Sequence, residues 1–250
     1  MTTKTQAKDR LIIALDTSNR KDALSLVNML KGRATFFKIG LELFTAVGPE
    51  IIKEVKKSGC KVFFDGKFMD IPNTVSKAVS NIVTHGVDMI NVYMSGGAVM
   101  LQAARKSVLE TALAHNISPP KLLGVTVLTS MGKEVLEDDL KIKTQFEEYI
   151  LLLAKQALKN NLDGIICSAN EAKLVCDAAK AENKNDFLIV TPGIRPSWAE
   201  ANDQKRTATP KEAIKNGVTH IVVGRPITCA KDPLDAVKRI LGEIEEAIQV

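Results

Sequence analysis

Six residues in the first third of the chain, Asp65-Gly66-Lys67-Phe68-Met69-Asp70, carry two carboxylates and one ammonium. Asp65 and Lys67 are separated by two, so on an extended segment both side chains point to the same face. A carboxylate beside an ammonium keeps the lysine protonated and aimed. An ordinary ion pair closing the top of the fold is the plainer reading of that spacing. Asp70 adds a second carboxylate, and Lys38, inside Phe36-Phe37-Lys38-Ile39-Gly40, adds a second ammonium. Four alternating charges at adjacent element ends are expensive to bury as scaffolding, which favours a chemical role. A second group lies toward the C-terminus. Gly224-Arg225 follows an apolar run and offers backbone N–H groups and a guanidinium fork, both suited to a phosphate. Arg195, in Thr191-Pro192-Gly193-Ile194-Arg195-Pro196, reads equally as a loop brace or a helper at that site. Gln204 lies in the same connection as a neutral donor.

Something must bring residues from 16 to 225 together. Eight short apolar runs recur along the chain, at 11–15, 35–39, 61–64, 89–92, 122–128, 164–167, 187–190 and 220–223. Each is nearly continuous in hydrophobicity, as expected of parallel strands covered on both sides. Helical periodicity follows each run, at 22–30, 49–57, 74–84, 145–158, 171–179, 210–215 and 233–248, with a fainter helix over 97–109. Eight strand–helix units in 250 residues predict an α/β fold, a single (β/α)8 TIM barrel. A doubly wound open sheet would show fewer strands and a G-x-G-x-x-G turn, which does not follow the first run. The barrel domain spans 1–250, with residues 1–9 expected as a frayed N-terminal tail. Two connections are long, 129–144 and 192–209, and in a barrel both lie at the C-terminal mouth where active sites form. Asp16, Lys38, Asp65, Lys67, Asp70, Thr129, Arg195, Gly224 and Arg225 all sit at or beyond the C-terminal ends of runs, so they converge on that mouth.

Composition narrows the partner. Hydrophobic residues make up 45% and charged residues 25%, the values of a soluble globular protein. The longest apolar stretch, 149–154, is far short of the roughly 18 residues a membrane span needs, so no membrane partner is expected. A polar start without an apolar signal region makes the cytoplasm the expected location. Thirty-four Lys and Arg against 29 Asp and Glu leave a net charge of +5, dispersed and with few aromatics between. That pattern argues against a nucleic-acid surface and suits a small anionic ligand. Four cysteines without a CxxC pair and three scattered histidines give no metal-ligand spacing. Cys167 reads as a small apolar group, Met69 and Met131 as packing residues, His85 as a cap or surface residue, and no histidine is placed as a base.

Asp65-x-Lys67-x-x-Asp70-Ile71-Pro72-Asn73-Thr74-Val75 resembles the signature of the orotidine 5′-phosphate decarboxylase family, in its bacterial form. Further matches fall in order: Ala14-Leu15-Asp16, Phe37-Lys38-Ile39-Gly40, Val125-Thr126-Val127-Leu128-Thr129-Ser130, Pro192-Gly193-Ile194-Arg195-Pro196, Asp203-Gln204-Lys205-Arg206 and Val223-Gly224-Arg225-Pro226-Ile227-Thr228. Two departures stand out: the family commonly has Leu where Gly66 stands and His where Met69 stands. Gly66 points away from Asp65 and Lys67, so it bears on packing. The resemblance implies a cofactor-free decarboxylation of orotidine 5′-monophosphate to UMP, the last step of UMP synthesis, without a metal. Lys67 then stabilises and protonates a carbanion at C6, held between Asp65 and Asp70, with Lys38 in the charge network. Asp16 and Lys38 meet ribose hydroxyls, Thr129 the pyrimidine edge, and Arg195, Gln204, Gly224 and Arg225 the phosphate. Ile71 and Thr74 also belong to the substrate site. The family forms homodimers, and Asp70 and Thr74 resemble residues lent to the neighbouring subunit. Two rivals remain: a magnesium-dependent sugar-phosphate barrel sharing the Asp-x-Lys-x-x-Asp core, and a non-catalytic nucleotide-binding barrel.

Overall fold

Apolar runs without polar alternation must be covered on both faces, and a closed parallel sheet inside a ring of helices does that. The computed structural model describes residues 6–199 and 207–249. In chain order the elements are α1 (Ala7–Arg10), β1 (Leu11–Ala14), α2 (Arg20–Leu30), β2 (Phe36–Gly40), α3 (Leu41–Val47), α4 (Glu50–Lys57), β3 (Lys61–Phe68), α5 (Pro72–Val83), β4 (Met89–Tyr93), α6 (Gly97–Ala114), β5 (Lys121–Val125), α7 (Phe146–Lys159), β6 (Gly164–Ile166), α8 (Ala169–Ala181), β7 (Leu188–Thr191), α9 (Pro210–Lys215), β8 (His220–Val223), α10 (Arg225–Thr228) and α11 (Pro233–Ile248). The strands pair in parallel from β1 to β8, and β8 returns to β1. The expected (β/α)8 barrel is the fold. No helix among the described residues is long and apolar enough to cross a membrane.

The core has two shells. The outer one lies between sheet and helices and includes Phe37, Ile39, Phe64, Val79 and Ile240. The inner one fills the barrel with Ile12, Ala14, Phe36, Phe63, Met89, Leu123, Val125, Ile166, Val190 and Val222. Strand alternation links the inner shell to the chemistry. Ala14 is followed two residues on by Asp16, Phe36 by Lys38, Phe63 by Asp65 and Met89 by Asn91. The top interior layer is therefore polar while the layers beneath are apolar.

Several elements differ from the sequence reading. Of the expected tail over 1–9, residues 7–9 belong to the one-turn helix α1 with Ala7 buried, and residues 1–5 lie outside the described residues. β3 runs four residues beyond its apolar stretch, to Phe68, and α6 runs on to Ala114. The 129–144 connection holds a π-helical turn, Val135–Asp139, pinned by the buried Leu136. The 192–209 connection is closed at its base by a bridge between Ile194 and Ala208, and Arg239 of α11 lies 4.3 Å from the Trp198 ring.

At the opposite end of the barrel, His220 starts β8 with its ring edge-on to Phe36 at 6.4 Å and Nδ1 3.0 Å from Thr219 Oγ1. Burial, and then the charges of Arg10 and Lys61, push its pKa down to about 4, so it is neutral in the fold at pH 7. An unfolded histidine titrates near 6.5 and takes up its proton first as pH falls. Its contribution to stability is therefore complete above pH 6.5 and is lost as pH drops toward 4. We expect His220→Gln to flatten the fall in unfolding free energy across that window by up to about 3 kcal/mol, read from denaturant melts at stepped pH.

Candidate active site

The polar layer forms one chain of alternating charge. Lys38 Nζ lies 3.0 Å from Asp16 Oδ1 and 3.5 Å from Asp65 Oδ2. Lys67 Nζ lies 2.7 Å from the other Asp65 oxygen, Oδ1. Lys38 and Asp65 are buried, whereas the Asp16 side chain is half exposed at the rim. Burial alone would drive Asp65 toward its neutral form. The ammoniums of Lys38 and Lys67, with hydrogen bonds from Lys67 and Asn91, outweigh it and hold the carboxyl below its ordinary range. Burial likewise works against the Lys38 charge, and Asp65 and Asp16 together overcome it, so its pKa is raised. Lys38 and Asp65 thus each favour the charged form of the other.

Lys67 reaches Asp65 by a route that strand alternation does not supply. β3 and β4 pair Phe64 with Ile90 and then Phe68 with Val92, so residues 65–67 stand opposite Asn91 alone. Within this bulge Lys67 adopts φ 49°, the left-handed region that a non-glycine residue enters only at a cost. Asn91, fully buried on β4, holds both ends. Its Oδ1 accepts from Lys67 N at 2.7 Å, and its Nδ2 donates to Asp65 Oδ1 at 2.7 Å. Sequence reasoning passed over Asn91. The signal was there: it is the only polar side chain between Met89 and Val92, and period two from Met89 turns it inward.

Gly66 faces the other way, as expected. A Cβ there would overlap the Phe64 ring, which packs edge-on to Phe44 at 4.8 Å. The small residue at 66 and the large one at 64 therefore share one space in the outer shell.

Beside the charges lies a cavity of about 250 Å³. It is lined by Lys38, Asp65 and Lys67, by the apolar Phe63, Val125 and Ile166, and by Thr129, Ser130 and Pro192.

The model of the orotidine 5′-phosphate decarboxylase / HUMPS family matches residues 9–240. The chain belongs to this family. Among similar proteins are orotidine 5′-phosphate decarboxylases of Moorella thermoacetica, 44% identical over 96% of this chain and 93% of that one, and of Nostoc sp., 42% identical over 97% and 100%. The crystal structure of the Lactobacillus acidophilus enzyme of that name is 38% identical, with a TM-score of 0.78 over 94% of this chain and 98% of that one.

The remaining positions of the family pattern divide in two. Gly224 approaches Asp16 closely, since a Cβ on it would lie 3.3 Å from Asp16 Oδ2, and the exposed Arg225 opens α10 next to it. Arg195 is buried, and its Nη1 donates to the Ile194 carbonyl at 2.9 Å, so within this chain it braces the loop. Gln204 lies outside the described residues. Within this chain Asp70 pairs with its own backbone neighbour. It is exposed, and its Oδ1 accepts from Ile71 N at 2.6 Å, because the chain turns outward after β3 to enter α5. Ile71 and Thr74 are exposed on the same rim and do not line the cavity.

Proposed function

We infer that the chain is a carboxy-lyase that converts orotidine 5′-monophosphate to UMP and carbon dioxide in de novo pyrimidine biosynthesis. The observation that carries this reading is the chain of alternating charges Asp16–Lys38–Asp65–Lys67, of which Lys38, Asp65 and Lys67 line the cavity. The family also includes sugar-phosphate enzymes. The near-full-length relatives above, all named orotidine 5′-phosphate decarboxylase, favour the pyrimidine substrate.

Breaking the C6–carboxylate bond leaves its electron pair on C6. The Lys67 ammonium stabilises that pair by its fixed charge and then transfers a proton to C6. UMP and carbon dioxide leave, and Lys67 regains its proton from solvent. Asp65 holds the Lys67 ammonium aimed, and its charge beside the substrate carboxylate also disfavours the bound ground state. Lys38 and Asp16 anchor the network and meet the ribose. Thr129 reads the pyrimidine edge, and Gly224 and Arg225, with Arg195 and Gln204 from the 192–209 connection, take the phosphate. Binding energy from that remote phosphate is available to draw the connection closed over the site.

Asp70 and Thr74 serve the site of a second subunit in a homodimer. Their outward direction supports this, as do their exposed apolar neighbours Met69 and Ile71, 57% and 67% accessible. The four free thiols suit the cytoplasm. An assay with EDTA present tests the reading: orotidine 5′-monophosphate is added and its ultraviolet absorbance followed. We expect undiminished turnover. No turnover would sink the reading, and recovery only on adding magnesium would favour a metal-dependent sugar-phosphate type of site.

A further inference from the structure

We propose that Asn91 is a positioning residue for the decarboxylation. Its one amide locks the β3 bulge so that the Lys67 ammonium and the Asp65 carboxylate stand at the distance the proton transfer needs. The inference rests on the reading of Lys67 as the proton donor.

Three observations converge. First, the bulge sets residues 65–67 against Asn91 alone, so the regular ladder cannot satisfy all of their backbone groups, and a buried N–H left unmade is costly. The Asn91 carbonyl takes the Lys67 N–H. Second, Lys67 is held at φ 49°. Relaxing this residue toward ordinary strand geometry would swing its side chain away from the cavity, and the hydrogen bond from its own N–H opposes that. Third, the amide orientation is fixed by its partners. An N–H can only be met by Oδ1, and a carboxylate only by the NH2, so Asn91 reads both ends of the bulge at once. Asn91 does not line the cavity, so it acts through Lys67 and Asp65 and makes no contact with the ligand itself.

Chemistry also selects among substitutes. A protonated aspartic acid at 91 reproduces the pattern, its hydroxyl donating to Asp65 and its carbonyl accepting from Lys67 N. Once ionised it sets a second carboxylate against Asp65, with Lys38 and Lys67 as the nearest cations and Tyr93 the neighbouring acid on β4. Burial and that repulsion raise the pKa of the pair.

The test compares Asn91→Ala, Asn91→Asp, Lys67→Ala and the unaltered protein. Turnover of orotidine 5′-monophosphate is followed from pH 5.5 to 8, and UMP affinity is measured by calorimetry. For Asn91→Ala we expect kcat to fall on the order of 100-fold, the scale of a misplaced reacting group, with UMP affinity within about threefold. Asn91→Asp should stand within about tenfold of the unaltered protein at pH 5.5 and well above Asn91→Ala. The assignment is overturned by a kcat for Asn91→Ala within about threefold of normal, or by losses of kcat and UMP affinity in equal measure. If Asn91→Ala does not fold, Asn91→Asp decides alone, and a deficit beyond about tenfold at pH 5.5 overturns the assignment. Lys67→Ala separates the two claims. Normal turnover there removes the lysine reading itself, whereas an inactive Lys67→Ala beside a normal Asn91→Ala removes only the positioning role.

Discussion

Lys67→Ala is expected to lower kcat by at least about 10⁴-fold while UMP still binds. The substitution removes two effects at once. A preorganised charge at the site of developing negative charge contributes about 10²–10³-fold, and a positioned proton donor about 10²–10⁴-fold. Both reside in one Nζ, 2.7 Å from Asp65 and on the cavity wall. The groups assigned to ribose and phosphate come from other strands, so the ligand keeps its anchors. Steady-state rates with orotidine 5′-monophosphate, and calorimetry with UMP, check the two halves separately. A variant that turns over near the normal rate would remove Lys67 from the chemistry, and one that no longer binds UMP would make it a binding residue.

Asp65→Ala carries the second largest effect, and it reaches stability as well as rate. Asp65 is the shared counter-ion of two ammoniums, with one oxygen toward Lys38 and the other toward Lys67. Removing it leaves two cations in a buried layer with only Asp16, on the rim, to balance Lys38. Breaking a buried ion pair from one side costs about 3–5 kcal/mol, so the thermal midpoint should drop by several degrees. Turnover should fall by at least about 10³-fold, because Lys67 loses the anion that holds its ammonium in place. Asp65→Asn keeps the shape and one acceptor but no charge and turns an NH2 toward an ammonium, so it should recover little of either stability or rate. Near-normal turnover in Asp65→Asn would make the role of Asp65 structural.

How much of this was legible without coordinates follows from the physics of each element. The eight runs were legible because buried parallel strands need continuous apolar sequence, and period two within them carried Asp16, Lys38 and Asp65 to the interior top layer. The pairing of Asp65 with Lys67 was anticipated for a reason that proved incomplete. The extended spacing suggested one face, but the chain uses a bulge with Lys67 at φ 49° to bring the two groups together. A bulge is a property of two strands, and no single run encodes it. Asn91 was missed for the same cause, since its value lies in what stands across from it. The direction of Asp70 was also illegible. Whether a carboxylate after a strand turns inward depends on where the next helix starts, and Pro72 at the head of α5 takes the chain outward. The seven-residue helix α3 and the four-residue α10 are too short for periodicity to declare itself.

The claim that Lys67 passes a proton to C6 has a direct reverse test. By microscopic reversibility, a lysine that delivers this proton to the carbanion also removes it from bound UMP. Incubated with UMP in deuterium oxide, the unaltered protein is therefore expected to exchange the C6 hydrogen for deuterium, seen as loss of the H6 resonance. Lys67→Ala, with UMP bound, should leave that resonance intact. Exchange in the variant at the rate of the unaltered protein would contradict the account, because another group would then be handling the proton.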